Sequence, residues 1–266
     1  MIVSPGIARF RRIAHATILG SLLIAAIAAF VWLPVARTRQ VDVSMTDDAS
    51  LLDGFRHVEV ASVSDALEQL TGRKMYMSHH MRPIFPTKFA GFAVTVLLKK
   101  EANHDPNALD GMLAAIDRGS SSSVYVMVVE DGADIAGMGG LMGTAMNARN
   151  FSGAVIDGGV RDVAALEAHG FPVFSATIAL TGATKDKPGT VGAPVRVGGV
   201  LVSAGDWVVA DVDGVTFVPG AELESVLAAG RAREAKEAGF FEALRDGRTT
   251  VELLGLDASL IREGSA

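Results

Sequence analysis

Arg161 and Asp162 stand side by side in the run GAVIDGGVRDVAAL, where an apolar stretch gives way to two glycines. An arginine guanidinium is a planar fork that can grip a carboxylate through two parallel hydrogen bonds. An aspartate supplies a hard oxygen for Mg²⁺ or Mn²⁺, ions that take one or two protein carboxylates and fill their remaining positions with water and substrate oxygens. The same pair also reads as a salt bridge at a helix start, of small energetic worth. A second feature precedes it: GMGGLMG at 137–143. Glycines there let backbone N–H groups approach a ligand, and a following helix start favours an anion. The loop lacks the Gly-Lys-Ser/Thr of a nucleotide-triphosphate loop and the G-x-G-x-x-G spacing of a dinucleotide site. Read by spacing alone, it is equally a tight strand-to-helix turn.

Other chemistry-bearing residues are less pointed. His79 and His80 are adjacent in a polar stretch that reads as a loop, and His169 ends a helix, where a cation suits the dipole. Lys185 and Lys187 could form a Schiff base with a keto acid. They sit in the polar TGATKDKPGT segment, without the desolvation that lowers a lysine pKa.

These residues need elements to position them. FAGFAVTVLL (89–98), VYVMVVE (124–130), AVIDGG (154–159) and FPVFSA (171–176) read as strands, the first two as buried ones. Between them, 106–119, 140–153 and 163–170 have helical character, each ending on glycine. Ser62 to Asp65 followed by ALEQL reads as an N-cap and a short amphipathic helix. Alternating strands and helices make a parallel, helix-covered sheet, with ligands at the strands' carboxyl ends. At 193–219 the pattern turns to short β runs broken by glycine, predicting hairpins and a second sheet layer. A long charged helix follows over 221–247. We read 50–266 as one α/β domain.

The 266 residues are 49 % hydrophobic and 20 % charged, with a net charge of −6 and no cysteine. That composition supports a large core, speaks against a phosphate-tracking face for nucleic acid, and excludes disulfides, zinc–thiolate sites and thiol nucleophiles. Residues 13–36 carry no formal charge and are flanked by Arg9, Arg11, Arg12, Arg37 and Arg39. Their length and apolarity predict an N-terminal hydrophobic helix serving as a membrane anchor within 1–45, with Trp32 at the interface. The body is then expected outside the cytoplasm, or inside it if translation starts at Met45.

Several stretches in order carry a resemblance: SVSDAL (62–67), MRPIFPTKFAGFAVTV (81–96), GGLMGTAMNARNFSGAVIDGGVRDVAAL (139–166) and PGTVGAPVRVGGVLVSAGDWVVADVDGVTFVP (188–219). Together they resemble the RraA-like family, which includes 4-hydroxy-4-methyl-2-oxoglutarate aldolases and regulators of ribonuclease activity. The resemblance implies a three-layer β/β/α swivelling-domain fold and a homotrimer or hexamer. It implies a divalent-metal-dependent pyruvate aldolase with oxaloacetate decarboxylase activity, or alternatively a non-catalytic binding protein. By position, Arg161 resembles the arginine that holds the pyruvyl group and Asp162 the metal ligand. Gly139, Gly140, Leu141 and Met142 resemble the backbone loop that binds the substrate carboxylate. Asp65 resembles an acidic residue lent by a neighbouring subunit. One position departs: Gly140 stands where the resemblance implies a carboxylate.

Overall fold

The valine-rich runs of the body become strands, and the glycines between them become turns. The computed structural model describes residues 45–99, 108–183 and 189–257. The chain divides into two units, Met1–Val43 and Ser44–Ala266, and all described residues lie in the second. In chain order the elements are α1 (Met45–His57), α2 (Val60–Thr71), β1 (Arg82–Pro83), β2 (Phe89–Leu98), α3 (Ala108–Arg118), β3 (Ser123–Val129), β4 (Ile135–Met138), α4 (Gly140–Asn147), β5 (Gly153–Val160), α5 (Val163–Ala168), β6 (Val173–Ile178), β7 (Thr181–Gly182), β8 (Gly189–Val191), β9 (Val195–Val197), β10 (Val200–Val202), β11 (Trp207–Asp211), β12 (Gly214–Val218), a short 3-10 turn (Gly220–Glu222), α6 (Leu223–Arg245) and α7 (Thr250–Leu254).

The main sheet runs β1-β6-β5-β3-β2-β11-β12. Its centre, β6-β5-β3-β2, is parallel, as the strand–helix alternation predicts. β1, β8, β11 and β12 add antiparallel pairings around it. The central strands are apolar on both faces because both faces are covered. Tyr125, Met127, Ala154 and Ile156 pack under α3, α4 and α5, against Met112, Ile116, Met146 and Leu166. Their neighbours Val124, Val126 and Val155 point the other way, into a core lined by Val195, Val197, Val200 and Val202 of the β9–β10 pair. Each such side chain stabilises the fold by about 1.5–3 kcal/mol on burial.

That second core also contains Phe174 of β6 and Phe217 of β12. Strands near opposite ends of the sheet order therefore share one interior, so the sheet curls towards closure. The outer face of β11 and β12 turns Trp207, Val209 and Val218 onto α1, α2 and α6. Trp207 packs edge-on to Phe92 at 4.8 Å and to Phe55 at 5.5 Å between ring centres.

Four expectations need correction. The helix predicted over 140–153 ends at Asn147. The glycine-rich stretch before it forms β4, a strand that periodicity did not disclose. The cap expected at Ser62 is absent: α2 begins at Val60 and Ser62 is buried inside it. The Val60 N–H donates instead to the buried Asp211 carboxylate at 2.9 Å, an acceptor 151 residues away that no local pattern could announce. The membrane anchor and the membrane-anchored, extracytoplasmic localisation built on it are also set aside. No helix among the described residues is long and apolar enough to cross a membrane. Even the longest, α6, is charged throughout its length, and 13–36 lie outside the described residues.

Candidate active site at the start of α4

β5 carries the chain to Val160, and the Arg161 N–H donates to the Met138 carbonyl at the end of β4, at 3.1 Å. This bond brings the strand end carrying Arg161 and Asp162 beside the Gly139–Gly140 corner where α4 begins. Asp162 then closes the turn into α5. Its backbone lies in the left-handed region, at φ 59° and ψ 35°, and its carbonyl accepts from the Ala165 and Leu166 N–H groups. Asp tolerates that conformation better than most residues, but it remains a strained choice. Such strain is concentrated where a side chain must be held at a functional position.

The Asp162 carboxylate is held by the glycine corner. Its Oδ2 accepts from the Gly140 N–H at 2.9 Å, so one of the otherwise unpaired donors of the α4 start is satisfied by a carboxylate 22 residues away. A Cβ at Gly139 would lie 2.7 Å from that same oxygen and 3.1 Å from Arg161 Cγ, so a larger residue at the corner would push these two side chains out of place. Gly140 is roomier, with its virtual Cβ 3.4 Å from the Asp162 Cβ.

Arg161 and Asp162 are each about half exposed, and the nearest approach between them is Nε to Oδ2 at 3.8 Å. A solvated pair at that distance contributes about 0–1 kcal/mol. It is not what holds Asp162 in place, and the helix-start salt bridge is the lesser description of these residues. The terminal nitrogens of Arg161 lie instead beside Gly182 of β7. The guanidinium, half exposed, can meet an anion, and the second oxygen of Asp162, which has no protein partner among the described residues, can meet a cation.

Leu141 points outward, 83 % exposed, whereas Met142 is buried among Met146, Leu166 and Phe171. Met142 can therefore meet a ligand at the helix start only through its backbone. Asp65 is not brought to the site within this chain. It lies on α2, paired with Arg233 of α6 at 2.7 Å. The Arg233 Nε also pairs with Glu237 at 3.0 Å. His169 follows α5 as expected, and Lys185 and Lys187 lie outside the described residues.

His79 and His80 sit in the expected loop. His80 Nδ1 lies 2.9 Å from the Ser78 hydroxyl, and Nε2 lies 3.9 Å from Asp157. Asp157, within the quoted DGGVRD run, accepts from the Gly198 N–H at 2.7 Å and so anchors the β9–β10 turn. A cleft of about 650 Å³ opens beside His80, Asp157 and Thr177 at the carboxyl ends of β3, β5 and β6. Asp157 and Gly182 are the residues that sequence reasoning left without a role. The aspartate's motif was visible, but the turn it ties down was not.

Much of the chain is similar to known proteins. It is 28 % identical over 193 residues to a Halalkalibacterium halodurans protein provisionally named 4-hydroxy-4-methyl-2-oxoglutarate aldolase, covering 72 % of this chain and 87 % of that one. An Albidiferax ferrireducens protein of the same provisional name is 36 % identical over 97 residues, covering 36 % and 56 %. An uncharacterized protein of Pseudomonas syringae pv. tomato has a similar solved structure, with TM-score 0.67, 28 % identity, and coverage of 77 % of this chain and 96 % of that one. Streptomyces coelicolor RraAS2, described as an unusual member of the RNase ES inhibitor RraA family, shares the fold with TM-score 0.62 at 23 % identity, covering 76 % and 98 %. The family described as RraA-like, aldolase/RraA, matches residues 60–217, more than half of the chain, and the protein belongs to that family.

Proposed function

We propose that the protein is a lyase that cleaves a 4-hydroxy-2-oxo acid, such as 4-hydroxy-4-methyl-2-oxoglutarate, to pyruvate with the help of a divalent metal, and that it decarboxylates oxaloacetate at the same site. The observation that carries this reading is the Asp162 carboxylate, held by the Gly140 N–H beside the half-exposed Arg161 guanidinium. Both reactions leave a pyruvate enolate, and a site for either must stabilise that charge.

The donor set fits a hydrated ion. Asp162 offers one open carboxylate oxygen, and no group of three His, Asp or Glu side chains surrounds it among the described residues. Mg²⁺ and Mn²⁺ are commonly held by one or two carboxylates, with water and substrate oxygens completing the shell. When bound at Asp162, the ion supplies Lewis-acid polarisation of the 2-keto oxygen.

The chain's own residues do the rest. Arg161 pairs with the substrate carboxylate and fixes the keto acid against the α4 start. The backbone N–H groups of Leu141 and Met142, in the first turn of α4, face the same carboxylate. In the aldol cleavage the C4 hydroxyl gives its proton to a solvent water, the C3–C4 bond breaks, and the electron pair passes into the enolate, which then takes a proton from water at C3. Gly140 offers no carboxylate to take the hydroxyl proton. Decarboxylation breaks the C3–C4 bond with loss of CO₂ and needs no such acceptor, so this corner suits it at least as well.

Exposed apolar residues support a multi-subunit site of the β/β/α, ring-trimer kind. Leu141 follows Gly140, Ile178 (67 % exposed) pairs with Val160, and Leu180 (90 %) precedes β7. A trimer or hexamer would cover them and would let Asp65 of one subunit serve the site of another. The same apolar residues favour one alternative, a non-catalytic RraA-like binding protein docking a partner there. Asp162→Ala separates the two: a lyase loses turnover and a binding protein keeps its partner.

The reading is tested by calorimetric titration with oxalate, a planar mimic of the enolate. Binding should require Mg²⁺ or Mn²⁺ and should weaken tenfold or more, yet stay measurable, in Arg161→Ala. Borohydride added with pyruvate should leave the protein's mass unchanged, since no lysine adduct forms. Metal-independent oxalate binding, or a trapped pyruvyl adduct, would overturn the proposal.

A further inference from the structure

Gly182 has no backbone reason to be glycine. It lies in β7, paired in parallel with β4 at Ala136, and its φ is outside the left-handed region. An ordinary side chain would serve a strand better. What occupies the space is Arg161. A Cβ placed on Gly182 would sit 3.1 Å from Nη1, 3.7 Å from Cζ and 3.9 Å from Nη2.

The arginine reaches that point by crossing a strand. Its N–H is bound to Met138 at the end of β4, and Ala183 is bound to Ala136 on the same strand. Arg161, just after β5, and Gly182 on β7 are therefore fastened to opposite edges of β4. Neighbouring strands lie about 4.8 Å apart, so the side chain must span two such spacings. A Cβ on Gly139 would lie 3.1 Å from Arg161 Cγ and 3.2 Å from Nε, close to the middle of the side chain. Gly139 thus leaves room for the stem, and Gly182 leaves room for the guanidinium.

We infer that Gly182 is a positioning residue for Arg161: the bare backbone at Gly182 sets where the guanidinium rests, and so where a bound carboxylate is held. The inference deepens the lyase reading and rests on it for the identity of the anion. The position of the guanidinium itself can be tested without that reading. An alanine Cβ at 3.1 Å forces the guanidinium to move by a few tenths of an ångström, and valine forces more. Misplacement of a reacting group by about 1 Å can cost about a hundredfold in rate.

The test compares Gly182→Ala and Gly182→Val with wild type, in two backgrounds and by two measurements. The Arg161 Nε–H resonance in a ¹⁵N spectrum, identified by its loss in Arg161→Lys, should shift in Gly182→Ala while the backbone amides of β2 and β3 stay in place. Oxalate affinity in Mg²⁺ should fall a few-fold in Gly182→Ala and about tenfold or more in Gly182→Val. Neither substitution should weaken binding further when Arg161 is already alanine. An unmoved resonance, or an equal loss of affinity in the Arg161→Ala background, overturns the inference. If wild type fails to bind oxalate while the resonance still shifts, the positioning role stands and the lyase reading falls.

Discussion

Asp162 has two structural duties and one chemical one, and substitutions can separate them. Its backbone sits at φ 59°, and its Oδ2 accepts from the Gly140 N–H at 2.9 Å. Asparagine can hold both features, because it tolerates the left-handed region and its amide oxygen still accepts. Alanine loses both. The conformational penalty for an ordinary side chain is about 1–2 kcal/mol. The lost hydrogen bond, half exposed, adds about 0.5–1 kcal/mol. Asp162→Ala should therefore destabilise by about 2 kcal/mol, lowering Tm by roughly 4–8 °C for a domain of this size. Asp162→Asn should stay within about 2 °C of wild type. The chemical duty follows the charge and not the shape. A metal that binds only the folded state raises Tm by mass action, by about 2.7 kcal/mol at a hundred times its dissociation constant. Differential scanning calorimetry with and without Mg²⁺ plus oxalate should show that rise in wild type and in neither variant. Equal stability of the two variants would refute the capping argument, and a preserved metal shift in Asp162→Asn would refute Asp162 as the ligand.

Two further outcomes follow from the same geometry. Gly139→Ala places a methyl 2.7 Å from Asp162 Oδ2 and 3.1 Å from Arg161 Cγ, so steady-state pyruvate release should fall tenfold or more, with the far-ultraviolet dichroism unchanged. Tyr125 is fully buried, its hydroxyl donating to the Met112 carbonyl at 3.2 Å, and burial pushes its pKa well above the usual 10. Because the folded pKa exceeds the unfolded one, the unfolded state releases this proton first, and stability should fall as pH rises above about 10. The tyrosinate absorbance assigned to Tyr125, read as wild type minus Tyr125→Phe, should stay absent at pH 11 while the protein remains folded and appear on unfolding.

Local patterns carried much of this molecule. The parallel centre of the sheet is legible because β2 and β3 read as continuous apolar runs with helices between the strands. The Arg161–Asp162 pair is legible because it follows such a strand and a pair of glycines. What could not be read are relations between distant segments. The Val60 donor needs Asp211, the Asp162 carboxylate needs Gly140, and the Arg161 guanidinium needs Gly182 across an intervening strand. β4 was missed because a four-residue strand containing glycine has too little period to announce itself. Asp65 shows the reverse. The resemblance lends it to a neighbouring subunit's site, and within this chain it pairs with Arg233 on α6.

The central claim is that Arg161 and Asp162 hold a keto acid and a divalent ion for cleavage to pyruvate. The most direct measurement is pyruvate release from 4-hydroxy-4-methyl-2-oxoglutarate and from oxaloacetate, coupled to NADH oxidation, with Mg²⁺ or Mn²⁺ and then with excess EDTA. At least one substrate should be turned over with either metal, and that turnover should be abolished by chelation and restored by added Mg²⁺. Turnover that survives chelation, or no pyruvate from either substrate with metal present, would contradict it.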